Sequence, residues 1–116
     1  MIDSTLIENI FTAKSMSTSF TSGPIEISRT EGYAVEAFWS GAVGNTSADT
    51  FVVLGSASGS AGSYVAVATF PVSTTSGSIL LNVEFPRYRF VEVAFDNVST
   101  SAGTMTVNIC GKSANG

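Results

Sequence analysis

Histidine is absent from this sequence of 116 residues, and cysteine and charged residues are scarce. Without an imidazole, the chain has no Ser-His-Asp or Cys-His pair and no histidine-ligated metal. The single cysteine, Cys110, can form neither an intrachain disulfide nor a thiolate metal cage. We therefore expect no catalytic residue, no metal and no cofactor.

Charge of either sign is low. Charged residues make up 12% of the chain, against the roughly 25% that is typical of soluble domains. Five Lys and Arg against nine Asp and Glu give a net charge of −4, so the chain lacks the basic stripe that neutralises phosphates. These values predict no nucleic-acid partner.

Long hydrophobic runs are also missing. The longest are residues 51–54 and 64–68, far short of the roughly 20 residues that cross a bilayer. The N-terminus is acidic at Asp3 and lacks the basic region of a secretory signal. We therefore expect no membrane partner and synthesis in a cytosol.

Hydroxyl groups supply most of the polarity instead. The chain has 18 Ser, 13 Thr and 11 Gly, while 44% of its residues are hydrophobic. This length is typical of one domain and is sufficient to bury one core. The composition favours a binding or structural module.

Alternation of apolar and polar residues is the dominant pattern, and it indicates β-strands. In residues 33–39 the apolar side chains fall on one face, and Glu36 falls on the other. Similar segments follow at 49–55, 64–70, 78–85, 89–97 and 104–112, with weaker ones at 6–14 and 25–28.

Clusters of Gly, Ser, Thr and Asn separate these segments and supply turns. Residues 96–103 lie between two strongly alternating segments and predict a β-hairpin with a rather long loop. About eight short strands without a dividing linker predict a single antiparallel β-sandwich, all-β, with a jelly-roll or Greek-key topology.

The N-terminal residues 1–22 have weaker periodicity than the domain at 23–116. They are either an arm that becomes ordered on docking or the first core strand. In the first case Phe11, Met16 and Phe20 would anchor the arm to a partner.

Acidic residues at strand ends suggest two kinds of site. Asp49, Asp96 and Asn97 could bind calcium, although such residues usually serve turns and no calcium-loop spacing is present. Glu84 and Glu92, on neighbouring predicted strands, could form a glycosidase pair, but solvent-exposed strand faces explain them better.

Aromatic residues could form a platform on which a sugar stacks. Tyr33, Tyr64 and Tyr88 are the candidates, together with Trp39. Trp39 shares its face with Val35 in the predicted strand, which favours core packing for this residue.

Two cations stand among aromatic residues in the segment 86–90. Arg87 and Arg89 could contribute to a surface that binds single-stranded nucleic acid. Because the protein is acidic, they are better interpreted as anchors that pair with a carboxylate of the same chain or of a neighbour.

The low charge of the whole chain bears on assembly. Monomers usually keep charged surfaces for solubility and for protection of their sheet edges. The composition therefore favours a homo-oligomer or a protein covered by a scaffold over a hydroxyl-rich monomer.

One pattern of strand and turn residues covers 25–41, with its Gly32-Tyr33 pair and its turn after Trp39, and continues through 50–57, 86–97 and 103–112. This pattern resembles that of small β-sandwich virion structural proteins of bacteriophages. Residues 58–62 depart from it, because a Ser-Gly-Ser-Ala-Gly segment replaces a Ser-Asn-Asp-Gly loop.

The resemblance implies a virion protein without catalytic residues, synthesised in the bacterial host cytoplasm. It would be a capsid decoration, cement or minor capsid protein that contacts the major capsid protein or other virion proteins. The alternative is a receptor- or carbohydrate-binding domain of a spike or tail appendage.

Overall fold

The computed structural model describes residues 5–27, 30–84 and 86–113. This part of the chain contains nine β-strands, joined by loops, and no helix. The strands are β1 (Thr5–Ser15), β2 (Phe20–Thr21), β3 (Ile25–Glu26), β4 (Thr30–Val43), β5 (Thr50–Ser56), β6 (Val65–Pro71), β7 (Gly77–Glu84), β8 (Phe90–Asp96) and β9 (Ala102–Ser113).

The strands form two antiparallel sheets. Sheet A has the order β1-β9-β4-β7, and sheet B has the order β2-β8-β5-β6, with β3 also paired to β8. The chain crosses from one sheet to the other at every connection except β2–β3 and β5–β6. This is a jelly roll. The predicted single antiparallel β-sandwich is confirmed.

The strands β2 and β3 occupy one position at the edge of sheet B. Phe20 pairs with Phe95, and Ile25 pairs with Val91, so both short strands lie along β8. Between them stands Pro24, which has no N–H to donate to a ladder. The interruption explains why this edge appears as two strands.

The core lies between the inner faces of the two sheets. On β4, the alternation predicted from the sequence is observed, with Val35 and Ala37 fully buried and Glu36 exposed. On β5, Phe51 and Val53 are fully buried. The other buried apolar side chains are Met16, Ile27, Tyr33, Trp39, Ala42, Val72, Val91, Val93, Phe95, Met105, Val107 and Ile109.

Trp39 closes the core near the end of β4. Its Nε1 donates a hydrogen bond to the carbonyl oxygen of Thr74 at 3.0 Å. Its ring lies directly against Gly77, where an added Cβ would come within 2.5 Å of the indole. The preference for core packing over sugar stacking at Trp39 agrees with this burial.

The predicted hairpin at residues 96–103 is wrong. The strand before the loop, β8, belongs to sheet B and pairs with β5, whereas β9 belongs to sheet A and pairs with β1 and β4. Alternation shows which face of a strand is buried, but it does not identify the partner strand. A loop rich in Ser, Thr and Gly serves a crossing between sheets as well as a hairpin.

Candidate functional sites and interaction surfaces

Asp49 joins two loops at one end of the sandwich. It precedes β5, and its fully buried carboxylate accepts backbone N–H groups from both loops. Oδ2 accepts from the N–H of Thr46 at 2.7 Å, within the β4–β5 loop. Oδ1 accepts from the N–H groups of Val98, Ser99 and Thr100 at 2.7, 2.9 and 3.2 Å, in the β8–β9 loop.

These donors determine the ionisation of Asp49. Burial by itself raises the pKa of the carboxyl, but the hydrogen bonds from Ser99, Thr46 and Val98 lower it, and the net pKa lies well below its ordinary value. Asp49 is therefore a structural anion that is satisfied by protein donors.

Asp49, Asp96 and Asn97 are not arranged as the ligands of a calcium ion. N–H and O–H groups point at the oxygens of Asp49, whereas a cation requires free oxygen ligands. Asn97 donates its Nδ2 to the carbonyl oxygens of Met16 and Thr100 at 2.6 and 2.7 Å, and Asp96 is exposed. Within the described residues, no three His, Cys, Asp or Glu side chains are grouped as a metal site.

Tyr33 and Tyr88 come together at the other end of the sandwich. Their hydroxyl oxygens lie 2.6 Å apart, and their rings meet edge to face with centroids 6.2 Å apart. The Tyr88 ring also lies against Gly55 at the end of β5, where an added Cβ would be 2.8 Å from it. Burial and the hydrogen bond to Tyr88 raise the pKa of the Tyr33 hydroxyl far above its ordinary value.

The three tyrosines that are candidates for sugar stacking differ in exposure. Tyr33 is only 4% exposed, and Tyr64 and Tyr88 are half-buried. The Tyr64 hydroxyl is buried without a hydrogen-bond partner among the described residues, and burial and the charge of Glu92 raise its pKa. Tyr33 therefore offers no exposed ring, and stacking of a sugar on Tyr64 or Tyr88 stays a prediction.

Arg89 pairs with a carboxylate of its own chain. Its Nη2 lies 3.5 Å from Oε2 of Glu26 on β3, and its guanidinium stands 5.5 Å from the centre of the Phe90 ring. Both members of the ion pair are more than half exposed, and such pairs contribute little to stability. Arg87 is exposed nearby in the chain. Contacts of either arginine with a partner stay a prediction.

The residues Glu84 and Glu92 lie in different sheets, on β7 and β8. Glu92 accepts a hydrogen bond from Thr21 at 2.6 Å. Glu84 is exposed at the end of β7 and lines, with Glu31, Asn82 and Cys110, a depression of about 590 Å³ on sheet A. The expectation that they are on neighbouring strands is wrong, because the chain changes sheets between them.

Residues 5–21 of the N-terminal segment lie within the sandwich. The strand β1 pairs with β9, and β2 pairs with β8. Met16 is fully buried, and the Phe20 ring lies 4.8 Å from the Phe11 ring and 5.5 Å from the Phe95 ring. The three proposed anchors therefore contact the chain's own core, as in the first-strand alternative. Residues 1–4 lie outside the described part.

Apolar side chains are exposed on the outer face of sheet A. Phe38 on β4 is 43% exposed, and Leu80 on the neighbouring β7 is 64% exposed. Phe38 is opposite Ser78 on one side and Thr106 on the other, whereas Leu80 is opposite the exposed Glu36, so one carboxylate lies on this face beside the two apolar side chains. This face offers an apolar and hydroxyl-bearing surface.

One flank of the sandwich carries no charge. Residues 50–83, which include β5, β6 and nearly all of β7, contain no Asp, Glu, Lys or Arg. Because β6 and β7 are edge strands of the two sheets, the uncharged flank includes two sheet edges. The lack of charge in residues 50–83 is visible in the sequence, but only the fold shows that these residues form one flank.

The described residues include no helix of the length and hydrophobicity that a membrane span requires. The sequence matches no protein-family model and no curated protein sequence.

Solved structures share the fold. The SPBc2 prophage-derived protein YomS has a TM-score of 0.64 at 9% identity, over 97% of this chain and 96% of that one. The PBSX exported protein XepA has a TM-score of 0.57 at 9% identity, over 94% of this chain and 37% of that one. A protein from the structure of infectious bursal disease virus, Gx strain, has a TM-score of 0.52 at 9% identity, over 98% of this chain and 33% of that one.

These TM-scores show a shared fold, and at 9% identity the likeness extends to the fold alone. This chain spans almost the whole of YomS but only about a third of the other two proteins. The chain is thus a jelly-roll β-sandwich that resembles, in fold, small β-sandwich proteins of phage origin.

Proposed function

We propose that this chain is a non-enzymatic structural protein of a phage virion, most directly a capsid decoration, cement or minor capsid protein. It would contact the major capsid protein or other virion proteins and would be found in the virion after synthesis in the host cytoplasm. Its fold is also found in viral capsid proteins, and the similar YomS is prophage-derived.

The observation that carries the proposal is the outer face of sheet A. Phe38 and Leu80 are exposed there on adjacent strands, among Ser, Thr and Asn side chains and the carboxylate of Glu36. Burying such a surface against another protein contributes about 25 cal/mol per Å² of apolar area. In a shell this gain is repeated at every copy of the subunit.

The engagement of the polar groups supports the same conclusion. Asp49, Tyr33 and Glu92 each bond to groups of their own chain. Such contacts stabilise the fold and leave protein–protein contact as the role that the exposed surface supports.

The alternative is an appendage domain that binds a receptor or a carbohydrate. Burial of Tyr33 and the packing of Tyr88 on Gly55 give that role less support. A glycan array and saccharide titration followed by Trp39 fluorescence test it. Saturable, sugar-specific binding would favour the appendage role over decoration.

The proposal is tested on particles. Purified virions are analysed by mass spectrometry and electron microscopy for the chain, and the purified chain is added to particles that lack it. We expect saturable binding, and we expect Phe38→Lys to weaken it at least about tenfold because the cation would be buried at the contact. Thr69→Lys, exposed on sheet B, is the matched control. Absence of the chain from virions, or equal binding of both variants, would contradict the proposal.

A further inference from the structure

The four sheet edges of the sandwich differ in how they are protected from pairing with another strand. An exposed edge presents unpaired N–H and C=O groups, and proteins block it with bulges, Pro, charge or short strands. The edge strands are β1 and β7 in sheet A, and β6 and the pair β2/β3 in sheet B.

Three of these edges carry such a block. The strand β1 has two register shifts and bears Glu8 and Lys14. The strands β2 and β3 have two residues each and are separated by Pro24. In β6, a register shift leaves Val67 without a direct partner on β5, and Pro71 ends the strand.

The fourth edge, β7, has none of these features. Its residues Gly77–Glu84 pair with β4 in one uninterrupted register. The strand contains no proline, and its only charged residue is the terminal Glu84. On its other side, β7 has no strand partner among the described residues.

We propose that β7 pairs with β7 of a second copy of this chain, antiparallel about a twofold axis, so that sheet A continues across a dimer. In the register centred on Leu80, Leu80 faces its own counterpart. Ile79 then faces Leu81 of the second copy, and Ser78 faces Asn82.

Charge favours a second copy as the occupant. The chain has a net charge of −4, so two copies repel one another through most of their surfaces. Every charged residue lies outside residues 50–83. The carboxylate beside Leu80 belongs to Glu36 on β4, one strand in from the edge, so two β7 edges meet with no charge at their centre. In a twofold pair a central charge would meet its own image, and the centre of β7 has none.

The pairing also extends the exposed apolar surface. Leu80 points to the outer face of sheet A, where it is 64% exposed, and Phe38 lies on the adjacent strand. Across the axis the two Leu80 side chains would cover one another. The inference concerns the purified chain alone, so it holds or fails independently of the proposed virion role.

Sedimentation of the full-length chain across micromolar concentrations tests the proposal. We expect a monomer–dimer equilibrium, and we expect Leu80→Lys to raise its dissociation constant at least about tenfold because two like charges would face one another. Val67→Lys, also at an exposed position but on the blocked edge β6, is expected to dimerise like the parent chain. A chain that stays monomeric, or equal dimerisation of both variants, would overturn the pairing.

A crosslink tests the register without depending on the lysine variant. Self-opposed residues of an antiparallel pair have Cα atoms about 4.5–5.5 Å apart, within reach of a disulfide. In a Cys110→Ser background, Leu80→Cys is therefore expected to form a crosslinked dimer on mild oxidation. Ser78→Cys is the control, because its counterpart would be about 13 Å away along the strand. Equal crosslinking of both variants, or none at Leu80→Cys, would exclude this register.

Discussion

Ser99 donates a hydrogen bond to each carboxylate oxygen of Asp49. Its backbone N–H donates to Oδ1 and its hydroxyl donates to Oδ2, each at 2.9 Å. The same hydroxyl also lies 2.7 Å from the carbonyl oxygen of Gly44. This contact connects the loop that enters β5 with the loop that leaves β8, so Asp49 ties the two sheets together where the chain crosses between them.

Asp49→Asn is expected to destabilise the fold by about 3 kcal/mol. The amide group of Asn would place N–H donors against N–H donors, and it would remove the negative charge that they bind. Urea unfolding measures the loss, and Asp96→Asn, at an exposed residue, is the control. If both variants lost the same free energy of unfolding, the hydrogen bonds of Asp49 would make no special contribution to stability.

Asp49 is expected to make the folded protein less stable as the pH falls. Its pKa is depressed in the folded state, so the unfolded chain binds more protons as pH falls and the free energy of unfolding decreases. The loss begins near the unfolded pKa of about 3.9 and continues toward lower pH, at up to about 1.4 kcal/mol per pH unit.

Urea unfolding at a series of acidic pH values measures this dependence in the parent chain and in Asp49→Asn. We expect a shallower decline in the variant, since it has no carboxyl at this position to titrate. Parallel declines would assign the acid sensitivity to other carboxylates.

The tyrosine pair predicts an opposite response in alkali. The Tyr33 pKa is raised, so the folded protein keeps this proton above the unfolded pKa of about 10. Stability from this group is full below that pH and is lost as pH rises toward the folded pKa.

Tyr33→Phe is expected to lower the free energy of unfolding by about 1 kcal/mol at neutral pH, because the Tyr88 hydroxyl loses its hydrogen-bond partner. It should also remove a late step from the tyrosinate absorbance titration. For the stability loss, Tyr64→Phe is the matched control, since the Tyr64 hydroxyl has no hydrogen-bond partner among the described residues. An unchanged titration in Tyr33→Phe would contradict the assignment.

The N-terminal segment is expected to be required for folding. Met16 is fully buried, and Met16→Ala should cost about 2 to 5 kcal/mol by leaving a cavity, whereas the exposed Lys14→Ala should stay within about 0.5 kcal/mol. Deletion of residues 1–22 removes β1 and β2 and should abolish the cooperative unfolding transition. A truncated chain that still unfolds cooperatively would support the arm hypothesis instead.

The sequence predicted the fold class well because one signal dominates it. On β4 the buried side chains Val35, Ala37 and Trp39 alternate with exposed ones, and the alternation marks both the strand and its inner face. Alternation cannot identify β2, because this strand has only two residues and exists through its pairing with β8.

What the sequence could not supply was the partner of each strand and each polar group. The β8–β9 loop was predicted as a hairpin because the neighbours of β8, which are distant in sequence, leave no local signal. Asp49 appeared as a turn residue or a cation ligand, and its donors at 98–100 become visible only when the two loops meet. Tyr33 appeared as both a core and a sugar-binding candidate, and burial at the sheet interface favours the core.

The two ends of the sandwich carry different chromophores. Trp39, the only tryptophan, lies with Thr74 and Asn45 at the Asp49 end, whereas all three tyrosines lie toward the end of β5 marked by Gly55. Indole fluorescence therefore reports on one set of crossing loops, and tyrosine absorbance reports on the other. A perturbation that loosens one extremity before the other would be seen as two spectroscopic transitions that fail to coincide.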